Sequence, residues 1–277
     1  MPGGAANVAN NIMSLGGQAY LAGVVGNDER GGVLTGELVR KGINVDGIVT
    51  DASRPTILKT RVIAHQQQVV RIDKETTEVI KPKVINRVIA YVERAMDKID
   101  ALIIEDYGKG LIVPELLKPI VKMAKKRGKI VAVDPKEDHF SYYKGVTVIT
   151  PNHHEASKAA GIKMTEKTAL KKIGQTLLNR YQTRVVLVTL GEEGMAVFEH
   201  GKPYKKIDTV AQEVYDVSGA GDTVIASYAL SLVSGATAIQ AAHIANCAAG
   251  IVVGKVGISV VDQDELLGRI REELGKL

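Results

Sequence analysis

Apolar residues along this chain follow two alternating spacings. Short continuous runs of aliphatic side chains are separated by longer stretches in which apolar positions recur every three or four residues. Ala101-Leu102-Ile103-Ile104, then the segment 113–127, then Ile130-Val131-Ala132-Val133 is one such cycle. A strand buried on both faces needs an uninterrupted apolar run, and a helix covering one face needs the 3.6-residue period. The repeated order predicts βαβ units around a mostly parallel sheet, an α/β fold. Further core strands are predicted at 19–25, 147–149 and 184–189, with helices at 5–15, 31–41, 82–98, 166–181, 219–234 and 237–253.

The rhythm breaks between residues 55 and 73. Pro55 to Ala64 and Gln68 to Asp73 read as two alternating strands around a polar His-Gln-Gln tip. That predicts an antiparallel pair outside the parallel sheet. Two strands cannot bury both faces alone, so this flap is expected to pack over a site or against a second copy in a homodimer.

Composition narrows the classes. With 277 residues, 45% of them apolar, the chain can bury a large core, and a single domain over 1–277 with the flap as its lid is expected. A net charge of +5, from 36 basic and 31 acidic residues of alternating sign, gives little reason to expect a nucleic-acid partner. The run Lys125-Lys126-Arg127-Gly128-Lys129 closes a helical stretch, where cations and a following Gly are ordinary. No basic-then-apolar leader and no long apolar span is present, so the expectation is a cytoplasmic protein without membrane association. Cys247 is the one cysteine, placed in an Ala-rich helical stretch, where it reads as a buried inert thiol.

One segment carries chemistry. Tyr215-Asp216-Val217-Ser218-Gly219-Ala220-Gly221-Asp222-Thr223 puts a Gly-Ala-Gly turn at a helix start with a carboxylate in the first turn. Free N–H groups and the positive end of the helix dipole then converge where an anion can sit. Asp222 beside that point is able to take a proton from an attacking hydroxyl during phosphoryl transfer. Taken alone, the same residues also fit a plain tight turn before a helix. Other phosphate signatures are missing: Gly250 to Lys255 is one residue short of P-loop spacing, and no Gly-x-Gly-x-x-Gly occurs.

Asp216 to Thr223 resembles the C-terminal signature of the ribokinase-like (PfkB) carbohydrate kinases, and Gly3-Gly4-Ala5-Ala6-Asn7 resembles their N-terminal sugar-binding signature. Gly26 to Gly31, Asp134-Pro135-Lys136, Thr150 to Ala156 and Thr189 to Met195 resemble further landmarks in the same order, so the likeness covers nearly the whole chain. The resemblance implies a ribokinase-like three-layer sandwich with a β-flap, an ATP- and Mg2+-dependent kinase, and a sugar substrate. Within the family, Arg54 to Ala64, Gln67 to Asp73 and Asp106 to Gly110 are similar to kinases acting on D-glycero-D-manno-heptose 7-phosphate at O1, in the route to ADP-heptose. In those proteins a nucleotidyltransferase half follows, which is expected to be absent here.

The resemblance assigns roles. Gly219, Ala220 and Gly221 would form the anion hole and Asp222 the base. Gly4, Asn7, Asn27, Asp28 and Asp106 would meet the sugar, all near strand ends or helix starts, where ligands bind open α/β sheets. Lys109, Arg61 and Arg71 are the candidate cations for a substrate phosphate. Asn152 and Glu155 resemble the element that organises Mg2+ through water. Thr189, Gly191 and Gly194 would pass the nucleotide, with Asn246 and Gly250 on the adenine side. His153 and His154 are adjacent, so they lack zinc-ligand spacing.

Two other readings stay open: a kinase for a different sugar or a nucleoside, and a silent sugar- or nucleotide-binding protein. The signature begins at Gly3, whereas family members place before it a strand ending in an acidic sugar contact. Weakened sugar affinity and stability are therefore expected of this chain.

Overall fold

The computed structural model describes residues 1–64, 67–164, 168–211 and 214–275. In chain order its elements are α1 (Ala5–Ser14), β1 (Tyr20–Val25), α2 (Glu29–Arg40), β2 (Asn44–Thr50), β3 (Leu58–Ala64), β4 (Gln67–Lys74), α3 (Pro82–Ala95), β5 (Ala101–Glu105) and α4 (Pro114–Lys126). They continue with β6 (Ile130–Asp134), β7 (Val148–Ile149), α5 (His153–Ala160), α6 (Ala169–Tyr181), β8 (Val185–Thr189), β9 (Met195–Glu199), β10 (Lys205–Ile207), α7 (Ala220–Val233), α8 (Ala238–Val253) and α9 (Gln263–Leu274).

Six strands form the central sheet in the order β10-β9-β8-β7-β6-β5. Those from β5 to β8 are parallel, and β9 and β10 return antiparallel. Successive side chains of a strand point to opposite faces, so each strand feeds two cores. Val131 and Val133, Val186 and Val188, Ala196 and Phe198 join the core beneath α3, α4 and α6. Their neighbours Ala132, Val185, Leu187, Met195 and Val197 join the core beneath α1, α7 and α8. The result is a three-layer α/β/α sandwich, with continuous apolar runs where both faces are covered.

Helices α7 and α8 lie against each other and against the sheet. Their small residues suit this position, because helices rich in Ala, Ser and Gly can approach closely on several sides. On the other face Gly174 makes room for Phe198: a Cβ at Gly174 would fall 2.3 Å from the ring.

Differences from the sequence pattern have local causes. Strand β1 does not join the central sheet but pairs in parallel with β2. That pair packs on α1 and α2 through Leu38, Ile43 and Ala9. Helix α2 starts earlier than the periodicity predicts because the Asp28 carboxylate accepts from the Gly31 N–H and caps it. The predicted start of the 166–181 helix lies partly outside the described residues. Strands β3 and β4 form the antiparallel flap, whose tip likewise lies outside them.

Candidate active site

The site is built where the carboxyl ends of β5 and β6 meet the N-terminus of α7. Gly219 stands just before that helix at φ +85°, a left-handed conformation natural to glycine. The turn delivers Asp222 into the interior, where the residue is 6% exposed. Two side chains reach its carboxylate. Asn7 Nδ2 donates to Oδ2 at 2.6 Å, and Tyr107 Oη donates to Oδ1 at 2.9 Å. Burial raises the Asp222 carboxyl above the ordinary carboxylate range, while the Asn7 and Tyr107 hydrogen bonds pull it back down.

Each donor is itself held. Asn7 lies on the buried face of α1 and is 1% exposed. One turn on, Asn11 donates to the Asn7 carbonyl oxygen and accepts from the Thr223 hydroxyl of α7. The Tyr107 ring lies over Gly4, where a Cβ would come within 3.2 Å of it. Gly4 therefore serves the site by making room for a ring. The N–H groups of Gly219, Gly221 and Asp222 have no acceptor among the described residues, whereas the Ala220 N–H donates to the Val217 carbonyl. The anion-accepting end of α7 thus offers fewer N–H groups than the Gly-Ala-Gly pattern suggests.

Strand alternation brings two more carboxylates here. Glu105 and Asp134 end β5 and β6, are paired in register, and share the parity of Ile103 and Ala132, which face α7. One carboxylate oxygen from each of Glu105, Asp134 and Asp222 lies within 4.8 Å of the other two. At an effective dielectric constant near 20, two unit charges at that distance repel by roughly 3.5 kcal/mol. The Glu105 carboxyl is accordingly held well above the ordinary range, first by burial and then by Asp134, Asp222 and Asp106. Asp134 is raised by burial and by Glu155 and Asp222, against a Thr150 hydrogen bond that lowers it.

The other predicted residues divide into those that are open to a ligand and those engaged within the protein. Asn27 is exposed between β1 and α2. Asp28 accepts from the backbone N–H groups of Gly31 and Thr56; the Thr56 side chain, then the Thr56 and Gly31 N–H groups, pull its carboxyl down to about 2. Asp106 is buried and accepts from the Gly108 N–H and the Tyr143 hydroxyl, with His139 Nδ1 2.7 Å from the same oxygen as Tyr143. Through these bonds Asp28 holds the α2 start and Asp106 the 106–110 loop. Lys109 Nζ is paired with Glu75, which also holds Lys59. Arg61 and Arg71 are exposed and directly opposite one another across the flap, Arg71 paired with Asp73; the Asp216 carboxyl is lowered first by its Ser218 hydrogen bonds and least by Arg61.

Around the nucleotide-side positions, Asn152 and Glu155 cap α5 reciprocally. The Asn152 side chain accepts from the His154 and Glu155 N–H groups, and Glu155 accepts from the Asn152 N–H. Thr189 lies beside Asn152 through a parallel bridge, at the mouth of β8. Gly191 and Gly194 follow with φ +62° and +86°, and Gly194 is pressed so closely on the Ile207 carbonyl that no side chain fits. Asn246 is buried and donates to the Asp208 carbonyl, while Gly250 lets α8 approach Val210. Both support the 208–211 loop. Tyr107, Asn11, Glu105 and Asp134 were not singled out as site residues by sequence; Tyr107 and Asp134 do lie within the landmark segments.

Against this geometry the comparisons are consistent. The family model described as pfkB family carbohydrate kinase matches residues 1–264. Two curated proteins named Bifunctional protein HldE, from Helicobacter hepaticus and Geobacter sulfurreducens, are each 42% identical over 275 and 274 residues. The alignments cover 99% of this chain but 57% and 56% of those proteins, so the chain spans little more than half their length. The structure of Arabidopsis thaliana ribokinase complexed with ribose and ATP matches with a TM-score of 0.75 at 22% identity, over 96% of this chain and 86% of that one. Phosphofructokinase-2 from Escherichia coli in complex with substrates and products matches with a TM-score of 0.78 at 19% identity, over 96% and 86%. At those identities the likeness is one of fold.

Proposed function

The chain belongs to the pfkB family of carbohydrate kinases, and from that premise we propose that it phosphorylates D-glycero-D-manno-heptose 7-phosphate at O1 with ATP. The carrying observation is the buried Asp222 carboxylate at the start of α7, held by Asn7 and Tyr107 beside N–H groups that lack acceptors. In this reading the sugar O1 hydroxyl gives its proton to Asp222 as its oxygen bonds to the γ-phosphorus and ADP leaves. The Gly221 and Asp222 N–H groups and the α7 dipole meet the charge on the moving phosphoryl. Asn7 retains a second amide hydrogen and its carbonyl oxygen for the sugar.

A substrate that already bears a phosphate needs cations. Arg61 opposite Arg71, which is paired with Asp73, supports this assignment, because two guanidinium groups on one face of the flap can close on a phosphate. Lys109, paired with Glu75, would exchange that partner for the substrate phosphate. A Mg2+ ion would neutralise charge on the ATP phosphates. The oxygens of Asn152 and Glu155 have lone pairs beyond their capping bonds for its water shell. The flap supports a homodimer: Val62, Val70 and Ile72 lie on one face of the hairpin and are exposed, while Lys59, Arg61, Arg71 and Asp73 lie on the other.

The test is ADP release with heptose 7-phosphate, ribose, fructose and adenosine side by side, for the unaltered chain and Asp222→Asn. Heptose 7-phosphate should give the highest kcat/KM. Asp222→Asn should lower kcat by at least roughly 10²-fold while ATP binding is retained. Equal turnover of all acceptors would remove the substrate assignment, and near-normal turnover by Asp222→Asn would remove the mechanism.

A further inference from the structure

The run Lys125-Lys126-Arg127-Gly128-Lys129 has no task in the reaction proposed above, and it borders a cavity of about 600 Å3 at the other end of the sheet from Asp222. Ile130 opens β6, while Thr147 and Arg184 stand just before β7 and β8, and all three line this cavity. It therefore lies at the amino ends of parallel strands whose carboxyl ends carry the candidate active site. Along β6 alone the rise from Ile130 to Asp134 is about 13 Å, at roughly 3.3 Å per residue.

The lining is basic. Lys125, Lys129, Arg184 and His200 contribute to the wall, and no aspartate or glutamate does. Arg184 and His200 are cross-strand neighbours, one residue beyond the Val185 to Glu199 pair. Glu199 itself is held by Lys202 at 3.1 Å, and His200 Nε2 donates to the Thr183 carbonyl oxygen at 3.1 Å. Lysines at a helix end ordinarily answer its last carbonyl groups. At the end of α4 the Met123, Ala124 and Lys125 carbonyls already accept from the backbone N–H groups of Arg127, Gly128 and Lys129, and the Arg127 side chain is paired with Asp97. The side chains of Lys125, Lys129 and Arg184 are left with no hydrogen bond or ion pair among the described residues. Gly145 makes room for the Lys125 ammonium at the cavity wall, since a Cβ there would collide with Nζ. Three permanent cations thus share one concave wall, where like charges add to the potential that an anion meets.

We propose that this cavity binds a small anion bearing a diphosphate group, at a site distinct from the one around Asp222. Its volume is that of a small-molecule site and exceeds what a single phosphate fills. A phosphomonoester carries a charge of about −2 and leaves one of the three cations unmatched, whereas a diphosphate at about −3 matches them all. The Arg184 guanidinium can grip two oxygens of one phosphate as a fork, and the two lysines can close on the other as mobile point charges. The inference stands on the cavity and depends neither on the sugar substrate nor on Asp222 being the base.

The experiment acetylates the lysines of the whole chain with an amine-reactive reagent while inorganic diphosphate is added without metal, and peptide mass spectrometry reads each lysine. Lys125 and Lys129 should be protected, while Lys126, exposed beside them and outside the cavity lining, stays reactive. In Arg184→Gln the diphosphate concentration giving half-protection should rise at least roughly tenfold, the scale of one lost hydrogen bond between charged groups. Should that variant not fold, Lys125→Gln read at Lys129 is expected to show the same rise. Inorganic phosphate should need a concentration at least roughly tenfold higher than diphosphate, because it engages fewer of the cations. Protection by ADP at lower concentration than by diphosphate would support a nucleotide as the source, and the reverse order the free anion. Equal protection of Lys126, no protection at millimolar diphosphate, an unmoved half-protection point in the folded variant, or equal potency of phosphate would each overturn the proposal.

Discussion

Removing the Asn7 amide isolates what the α1 to α7 contact does for the reaction. The Asn7 Nδ2 to Asp222 Oδ2 hydrogen bond, 2.6 Å long and buried, connects residues 215 positions apart in sequence. It favours the ionised carboxylate, in opposition to the burial that raises the Asp222 carboxyl. A hydrogen bond to a charged group contributes about 1.5–3 kcal/mol. Asn7→Ala should therefore raise the Asp222 pKa. In the proposed mechanism the base works ionised, so the acid limb of the pH profile of kcat/KM should move to higher pH, with kcat/KM on that limb lower by roughly 10- to 100-fold. Activity lost near neutrality should return as the pH is raised. Loss of a sugar contact at Asn7 would lower kcat/KM at every pH without moving the limb, so profile shape separates the two roles. An acid limb that stays in place in a folded Asn7→Ala protein would refute the argument.

Two further outcomes follow from geometry. Gly219→Ala should cost about 1–2 kcal/mol for an L-residue at φ +85°. It should also cut kcat, because its Cβ would lie 3.0 Å from Asn7 Nδ2; thermal melting and steady-state kinetics report the two losses separately, and unchanged kcat would show that Asn7 tolerates displacement. Asp106→Ala would leave the Tyr143 hydroxyl and the Gly108 N–H without their acceptor. It should destabilise the protein by about 2–4 kcal/mol in urea unfolding; a change within experimental error would show that water or His139 takes over.

Much of the fold is legible because its strands are covered on both sides. Val185-Val186-Leu187-Val188 has no polar position and reads as a central strand. Strand β2 contains Asn44, Asp46 and Gly47 and escapes such a reading, since its partner β1 lies outside the six-stranded sheet. Asp222 is legible because the turn chemistry around it is local. Its partners are not, because Asn7, Tyr107 and Glu105 reach it only once α1, the 106–110 loop and β5 have packed. Asp28 and Asp106 show the converse: an acid at a strand end looks available to a ligand, and only the structure shows which lone pairs are already engaged by Gly31, Thr56, Gly108 and Tyr143.

The Arg54 guanidinium ties together segments far apart in sequence. Its Nη2 is within 3.4 Å of the carbonyl oxygens of Thr76, Glu78 and Lys109, joining the chain on either side of the flap to the loop that carries Tyr107. With Lys109 also paired to Glu75 just beyond β4, a hairpin that swings outward must pull on the backbone beneath Tyr107 or break both ties. In the reaction proposed above, opening the flap would loosen the Tyr107 hydrogen bond to Asp222 in the same motion, so the proton acceptor would stay aligned only while the hairpin is down.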